Sequence, residues 1–255
     1  MPSNKRSNEG PRIQRSLTEQ GYAARMEECI ARSPYSNLDR LRNFSVYAPR
    51  QDVTNFLIRY EIFKRVLGIQ GSVVECGVLQ GGGLMAWAQF SAILEPTNHQ
   101  RRLVGFDTFQ GFPTLSEPDR ASESKEARAG GFAAHSYDHL KHCIELFDTN
   151  RFVGHVPKVE LVRGDATKTI PQYVKENPQL IVSLLYLDFD IYEPTVAALK
   201  SFVPRMPKGA IIAFDELNSK DWRGESVAVL ESLHLHDYKI ERFPFGSFIS
   251  FAQIG

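Results

Sequence analysis

The middle of the chain alternates short apolar runs with longer amphipathic segments, and this alternation restricts the possible folds more than any other feature. Each apolar run is shorter than an ordinary helix and is rich in Val, Ile or Leu, which favours buried β-strands. Strands of this kind, separated by helices, are typical of a parallel sheet that helices cover on both faces. The predicted strands are residues 72–76, 103–106, 159–162, 181–187 and 210–214.

The two ends of the chain complete the predicted architecture. Residues 239–243 and 247–254 flank a Pro-Phe-Gly turn and predict an antiparallel hairpin, which brings the sheet to seven strands. The remaining segments predict helices at residues 17–33, 52–67, 84–94, 167–175, 195–203 and 225–235. We therefore predict an α/β fold in which a mostly parallel sheet domain (51–255) follows an N-terminal arm and helical extension (1–50).

Composition argues against several functional classes. The 255 residues include 30 basic and 30 acidic side chains, and a net charge of zero argues against nucleic acid or an anionic membrane as a partner. No apolar stretch reaches the roughly 18–20 residues that span a bilayer, and the polar N-terminus does not resemble a signal peptide. The three widely spaced cysteines form neither a disulfide framework nor a CxxC metal site. We therefore predict a cytoplasmic protein.

A glycine-rich turn follows the first predicted strand. Residues 75–83 read ECGVLQGGG and lead directly into a predicted helix. Residues without side chains let a ligand approach the backbone, and the N-terminus of the helix offers free N–H groups. The spacing G-x-x-x-G-G-G departs from the dinucleotide fingerprint G-x-G-x-x-G. Glu75, just before the turn, would repel a pyrophosphate and instead favours a cationic or amino-bearing ligand.

Acidic residues stand at the ends of the other predicted strands. Asp107, Asp165 and Asp188 each follow one strand, and the pair Asp215 and Glu216 follows another. One such acid usually caps the next helix, but capping does not readily explain acids after every strand. Because the carboxyl ends of parallel strands meet at one edge of a sheet, we expect these acids to surround a ligand there. The long irregular segment 108–135 is predicted to be a lid or binding loop.

Several of these motifs together resemble the class I S-adenosylmethionine-dependent methyltransferases, whose fold is Rossmann-like. More narrowly, the chain is similar to the macrocin O-methyltransferase (TylF-like) family, and in particular to its nucleotide-linked deoxysugar 3-O-methyltransferases of antibiotic biosynthesis. The resemblance runs from about residue 50 to 255, and its most specific motifs are GFDTFQGFP and LDFDIYEPT. The matching residues are 74–83, 105–113, 164–166 and 187–195.

The resemblance implies a site for S-adenosylmethionine and one for a divalent metal ion, usually Mg²⁺. Glu75 and Gly77 would lie at the methionine end of the cofactor, Asp107 at its ribose, and Asp165 with Ala166 near its adenine. The full set of cofactor-binding candidates is Glu75, Cys76, Gly77, Gly81, Asp107, Thr108, Phe109, Asp165, Ala166 and Asp188. The candidate metal ligands are Asp188, Asp215 and Glu216, of which Glu216 departs from the Asp or Asn that relatives carry.

The expected reaction is transfer of a methyl group to a hydroxyl of a sugar or sugar nucleotide. Such a hydroxyl must lose its proton as it attacks, so the site needs a general base. The resemblance makes Asp188 that base, with Asp190 as the second candidate and His135 as the third. Two alternatives remain open: a phenolic or catechol acceptor, and a methyltransferase-like protein that binds without catalysis. Apolar residues within 17–67 could pack against a second subunit, so a homo-oligomer is also open.

Overall fold

The computed structural model describes residues 21–246 and 248–255. The predicted arm 1–16, the start of the helix predicted at 17–33 and Ser247 lie outside the described residues. The chain divides into two compact units between Val53 and Thr54. The first unit contains three helices, α1 (Tyr22–Arg32), α2 (Asn37–Arg42) and α3 (Phe44–Tyr47), and the beginning of α4 (Arg50–Val66).

The second unit is built on a seven-stranded sheet with the order β3-β2-β1-β4-β5-β7-β6. The first five strands run parallel, and β7 pairs antiparallel with both β5 and β6. The prediction of a mostly parallel sheet closed by a C-terminal hairpin is therefore confirmed. The strands are β1 (Ser72–Cys76), β2 (Leu103–Asp107), β3 (Val159–Arg163), β4 (Val182–Leu187), β5 (Ile211–Phe214), β6 (Glu241–Arg242) and β7 (Ser250–Gln253).

Helices cover both faces of the sheet because successive strand residues point to opposite sides. In β1, for example, Val73 belongs to one apolar cluster with residues of α4, α5 and α6, whereas Val74 belongs to another with residues of α7, α8 and α9. All residues of β1 and β4 are buried, as expected for central strands of a parallel sheet. These helices are α5 (Gly82–Leu94), α6 (Tyr137–Thr149), α7 (Ala166–Glu176), α8 (Tyr192–Phe202) and α9 (Arg223–Ser232).

Helix α6 is absent from the sequence prediction. Its signal was nevertheless present, because Leu140, Ile144 and Phe147 recur at a spacing of four and three residues and are the buried residues of this helix. Among the helices of the described ranges, 21–246 and 248–255, none combines the length and apolar character needed to cross a membrane.

Arg101, just before β2, holds the C-terminal end of α4 against the sheet. Its side chain is 3% exposed and forms an ion pair of 2.8 Å with Glu95. The guanidinium Nη2 also donates to the carbonyl oxygen of Val66, the last residue of α4, and to those of Leu67 and Ile69 just beyond it, at 3.1, 3.3 and 3.0 Å. Arg101 therefore fixes the position of α4, the helix that also carries a residue of the candidate site.

We expect Arg101→Met to lower the free energy of unfolding by about 3–5 kcal/mol, because it removes the ion pair with the largely buried Glu95 and the buried hydrogen bonds of the guanidinium. The matched control is Arg102→Met. Arg102 pairs with Glu160 at 3.1 Å, but its side chain is 42% exposed. This exposed pair should contribute no more than about 1 kcal/mol. Urea unfolding of both variants measures the difference, and equal losses would contradict the role assigned to Arg101.

Candidate active site

The turn after β1 brings three strand ends into direct backbone contact. Gly77 donates its N–H to the carbonyl oxygen of Phe106 on β2 at 2.9 Å, and Asp188 after β4 donates to the carbonyl oxygen of Cys76 at 2.8 Å. Gly77 has a φ of +97°, and a Cβ atom there would lie 1.9 Å from the carbonyl oxygen of Asp188. Glycine is thus required by the close approach of β1 and β4. Gly81, with a φ of +90°, precedes α5 as its N-cap residue.

The side chains of Cys76 and Glu75 point into the interior of the protein. Cys76 is fully buried in an apolar cluster, and burial raises the pKa of its thiol well above the usual value. Glu75 is 1% exposed and accepts a 2.5 Å hydrogen bond from the indole N–H of Trp87. Burial raises the pKa of Glu75 to about 7, against the opposing effects of Arg59 and of this hydrogen bond. Glu75 therefore lies beneath the glycine turn as a desolvated acid.

Asp107 fixes the glycine turn to the end of β2. Its Oδ2 accepts the N–H groups of Val78 and Leu79 at 2.8 and 2.7 Å, and its Oδ1 accepts that of Phe109 at 2.6 Å. A carboxylate offers about four acceptor sites, so Asp107 retains capacity for a ligand hydroxyl. The side chains that follow are occupied internally. Thr108 donates to the carbonyl oxygen of Gly111 at 2.7 Å, and the buried ring of Phe109 lies 5.2 Å from that of Tyr137.

Asp165 performs the capping role that is usual for an acid between a strand and a helix. Its Oδ1 accepts the backbone N–H of Thr167 at 3.0 Å and the hydroxyl of the same residue at 2.7 Å. Lys168 lies 3.1 Å from its other oxygen, and Ala166 is buried as the first residue of α7. At this strand the capping explanation is sufficient to account for the acid, whether or not a ligand also contacts it.

Five acidic residues gather where β4 and β5 end, and we call them the acidic cluster: Asp188, Asp190, Asp215, Glu216 and Glu225. The ends of β4 and β5 lie side by side because Asp215 donates its N–H to the carbonyl oxygen of Leu187 at 3.0 Å. Burial, followed by repulsion from Asp215, raises the pKa of Asp188, Asp190 and Glu225 well above their usual values and that of Glu216 to about 7. The cluster thus holds more negative charge than its surroundings readily accommodate.

Glu225 was not among the sequence candidates, although it is the most buried member of the cluster. It lies in the first turn of α9, is 0% exposed, and accepts the backbone N–H of Glu216 at 3.2 Å through Oε1. Its Oε2 has no hydrogen-bond partner in the part of the chain that the structure describes. An unpaired buried carboxylate oxygen beside other acids fits the chemistry of a hard divalent cation.

The acidic cluster does not form a finished metal site. Within residues 21–246 and 248–255, no three His, Cys, Asp or Glu side chains are arranged so that they could hold a metal ion. The charge and the oxygen donors fit such an ion, but at least one side chain of the cluster would have to turn to complete its coordination.

Arg59 and Tyr186 are two further residues that the sequence candidates lack. Arg59, on α4, lies 3.9 Å from Oδ2 of Asp188 and donates to the hydroxyl of Tyr186 at 3.0 Å. That hydroxyl in turn donates a short hydrogen bond to Oδ1 of Asp215. Burial opposes the charge of Arg59, but Tyr186, Glu75 and the two aspartates outweigh it and raise the pKa of the guanidinium. Amphipathic periodicity gave no reason to single out this arginine.

Residues 108–135 form a long loop whose single regular element is a short turn at Pro118–Ala121. Asp119, in this turn, is 1% exposed and accepts the backbone N–H of Tyr192 at 2.8 Å. Tyr192 is the first residue of α8, so Asp119 ties the loop to the segment that carries Asp188 and Asp190. The aromatic rings of Phe112, Phe132 and Trp222 lie 5.4–5.8 Å apart and join the loop to the residues before α9.

His135 is not brought to the acidic cluster by any side-chain contact. It is exposed, has a φ of +50°, and uses its backbone N–H to donate to the carbonyl oxygen of Phe109 at 2.9 Å. Its imidazole makes no hydrogen bond to the residues that the structure describes. Of the three candidate bases, Asp188 and Asp190 therefore lie together, and His135 stands apart from them.

Comparison with known proteins agrees with this geometry. The sequence profile described as macrocin-O-methyltransferase (TylF) matches residues 60–233, which is more than half of the chain. No curated protein matches the sequence.

Solved structures show the same fold. The calicheamicin methyltransferase CalS11 is 33% identical over 95% of each chain, with a TM-score of 0.90. Its apo structure, described as that of a TDP-rhamnose 3'-O-methyltransferase, is 32% identical over 95% of this chain and 97% of that one, with a TM-score of 0.82. The O-methyltransferase NovP, at 18% identity over 79% of each chain and a TM-score of 0.59, shares the fold. The chain belongs to the macrocin O-methyltransferase (TylF) family and is an S-adenosylmethionine-dependent O-methyltransferase.

Proposed function

We propose that the protein acts in the cytoplasm and transfers a methyl group from S-adenosylmethionine to a hydroxyl of a nucleotide-linked deoxysugar in antibiotic or glycoconjugate biosynthesis. The observation that carries this proposal is the acidic cluster, which lies beside the glycine turn at one edge of the sheet. CalS11, which is described as acting on TDP-rhamnose, supports the acceptor class through 32% identity over 95% of this chain.

The cofactor would lie along the carboxyl ends of β1, β2 and β3. The methionine end would lie against the turn that Gly77 and Gly81 shape through their positive φ angles, and Glu75 beneath the turn would supply negative potential for the amino group. Asp107 would accept a ribose hydroxyl through its remaining capacity, and Asp165 with Ala166 would border the adenine. Each assignment follows the order of the strands in the sheet.

Asp188 would be the general base. Its side chain is 29% exposed, so it can reach an acceptor, whereas Asp190 is buried. Burial and repulsion from Asp215 raise the pKa of Asp188, so its ionised carboxylate is a stronger base than that of an ordinary aspartate. As the sugar oxygen attacks, the O–CH₃ bond forms, the S–CH₃ bond breaks and Asp188 takes the hydroxyl proton. The products are the methylated sugar and S-adenosylhomocysteine.

Asp188, Asp215 and Glu216 would hold a divalent ion, for which Mg²⁺ suits their hard oxygen donors. When bound, such an ion lowers the pKa of a hydroxyl that it contacts. The gathering of five carboxyl groups around one guanidinium, that of Arg59, supports this assignment.

We expect the purified protein to methylate TDP-rhamnose faster than free rhamnose or catechol, with mass spectrometry as the measurement. Asp188→Asn should lower turnover by at least about 100-fold, because a positioned general base contributes about 10²–10⁴-fold. Calorimetry should show that this variant still binds S-adenosylmethionine.

The matched control is Asp237→Asn, since Asp237 is an exposed acid that pairs with His236 on a short surface turn. It should leave turnover unchanged. Turnover that survives Asp188→Asn would disprove the base assignment, and faster turnover of catechol would move the acceptor to the phenolic class. If the wild-type protein bound no S-adenosylmethionine, the whole proposal would fail.

We expect calorimetry to detect Mg²⁺ binding to the wild-type protein, and Asp215→Asn to weaken it by at least about tenfold through loss of one charged ligand. Bound Mg²⁺ should also raise the Tm, and above its Kd the increase should grow with the logarithm of the free Mg²⁺ concentration. Asp237→Asn again serves as the control. If millimolar Mg²⁺ produced neither heat nor a shift in Tm, the metal assignment would be withdrawn and the cofactor assignment would stand.

We also propose a homo-oligomer, because apolar side chains of the first unit are exposed to solvent. Leu38, Leu41 and Val46 are 57%, 70% and 66% exposed. Apolar surface of this kind often marks an association site. Light scattering on the full chain tests this proposal, and the mass of a single chain would contradict it.

A further inference from the structure

We propose that Arg59 and Tyr186 act together as a clamp that positions the carboxylates of Asp188 and Asp215 for methyl transfer. The inference rests on the proposed function of this site. One end of the clamp is the guanidinium of Arg59, 3.9 Å from Asp188. The other end is the hydroxyl of Tyr186, which receives a hydrogen bond from Arg59 and donates one to Asp215. The clamp therefore connects the ends of β4 and β5.

The clamp is rigid because its members are packed among aromatic rings. The ring of Tyr186 is fully buried and lies 5.6 Å from that of Trp87. The guanidinium of Arg59 stacks over the Tyr186 ring at 4.7 Å, and its side chain is 12% exposed. Such stacking suits the planar guanidinium and restricts its motion. Aspartates held by this pair would keep one orientation while substrates bind and leave.

Charge balance alone does not explain the clamp. The acidic cluster has five carboxyl groups. Arg59 forms an ion pair with Asp188 and reaches Asp215 through the hydroxyl of Tyr186. Asp190, Glu216 and Glu225 receive no such contact from it. One guanidinium cannot neutralise this cluster, but it can select the orientation of the two acids that it reaches.

Stability alone does not explain the clamp either. The Nε of Arg59 is buried and has no hydrogen-bond partner in the part of the chain that the structure describes. Leaving a buried donor unsatisfied costs about 1–3 kcal/mol, and buried ion pairs are often replaceable by apolar residues without loss of stability. A position selected for stability would favour an apolar side chain. The arginine is better explained by what it holds in place.

Tyr186→Phe and Arg59→Met test the clamp through kinetics. Tyr186→Phe removes one hydroxyl and should lower kcat about tenfold, the equivalent of one hydrogen bond, with KM for both substrates within about twofold of wild type. Arg59→Met removes both contacts and should lower kcat about 100-fold. The double variant should be no slower than Arg59→Met, because the two residues act as one unit. Arg59→Lys should recover part of the loss by restoring one charged contact.

Two variants control for nonspecific damage. Tyr173→Phe removes a hydroxyl on α7 that donates to Glu160 of β3 at 3.0 Å. Lys64→Met removes an exposed cation from the same helix as Arg59. Neither should change kcat or KM. If Tyr186→Phe and Arg59→Met lowered the Tm but left kcat unchanged, the role of the pair would be structural and the proposal would be overturned.

Crystal structures of the wild type and of Tyr186→Phe supply a readout that does not depend on turnover. We expect the Asp215 carboxylate to rotate away from its wild-type position in the variant. If the wild type methylated no sugar, the proposed function would fail. Rotation of the Asp215 carboxylate in Tyr186→Phe would still support the clamp in that case. An Asp215 side chain in the same position in both structures would overturn the clamp, whatever the acceptor.

Discussion

Asp188 donates its backbone N–H to Cys76, and Asp215 donates its own to Leu187, at 2.8 and 3.0 Å. These two hydrogen bonds extend the parallel pairing of β1, β4 and β5 by one residue beyond the strands. Because parallel strands end on the same side of a sheet, the extension places their acids next to each other. The close contact of β1 with β4 also requires Gly77, where any Cβ would meet the carbonyl oxygen of Asp188.

The same arrangement concentrates negative charge where water is scarce. Burial and mutual repulsion raise the pKa of Asp188 and Asp190, and Glu225 adds a further acid from α9. Charges of one sign are costly to desolvate together, so burial favours the protonated acids or carboxylates that lie beside a cation. Arg59 supplies one positive charge from α4, and the proposed divalent ion would supply more. The methyl donor is a sulfonium and therefore cationic, and it would lie beside the negative charge of the acidic cluster.

Much of the fold could be predicted from local patterns. The apolar runs at β1 and β4 are buried as central strands, and the strands that the acids follow run parallel. Asp165 shows the limit of that reasoning, because its carboxylate caps α7 in the ordinary way. Helix α6 was missed although Leu140, Ile144 and Phe147 have helical spacing. The position of His135 at the end of the long loop makes it a candidate base in the sequence. In the structure its side chain makes no contact with the acids of the cluster.

The sequence by itself determined the succession of the strands and of most helices along the chain, the glycine turn and the aspartates that end β2, β4 and β5. These features depend on periodicity and on residues adjacent in the chain. Only the tertiary structure decided that Arg59, Tyr186 and Glu225 join Asp188 and Asp215. Arg59 and Tyr186 are 127 positions apart in the chain, and no local pattern marks a contact of that kind. Such contacts arise when a helix packs on a sheet, because packing selects which side chain of the helix meets which strand end.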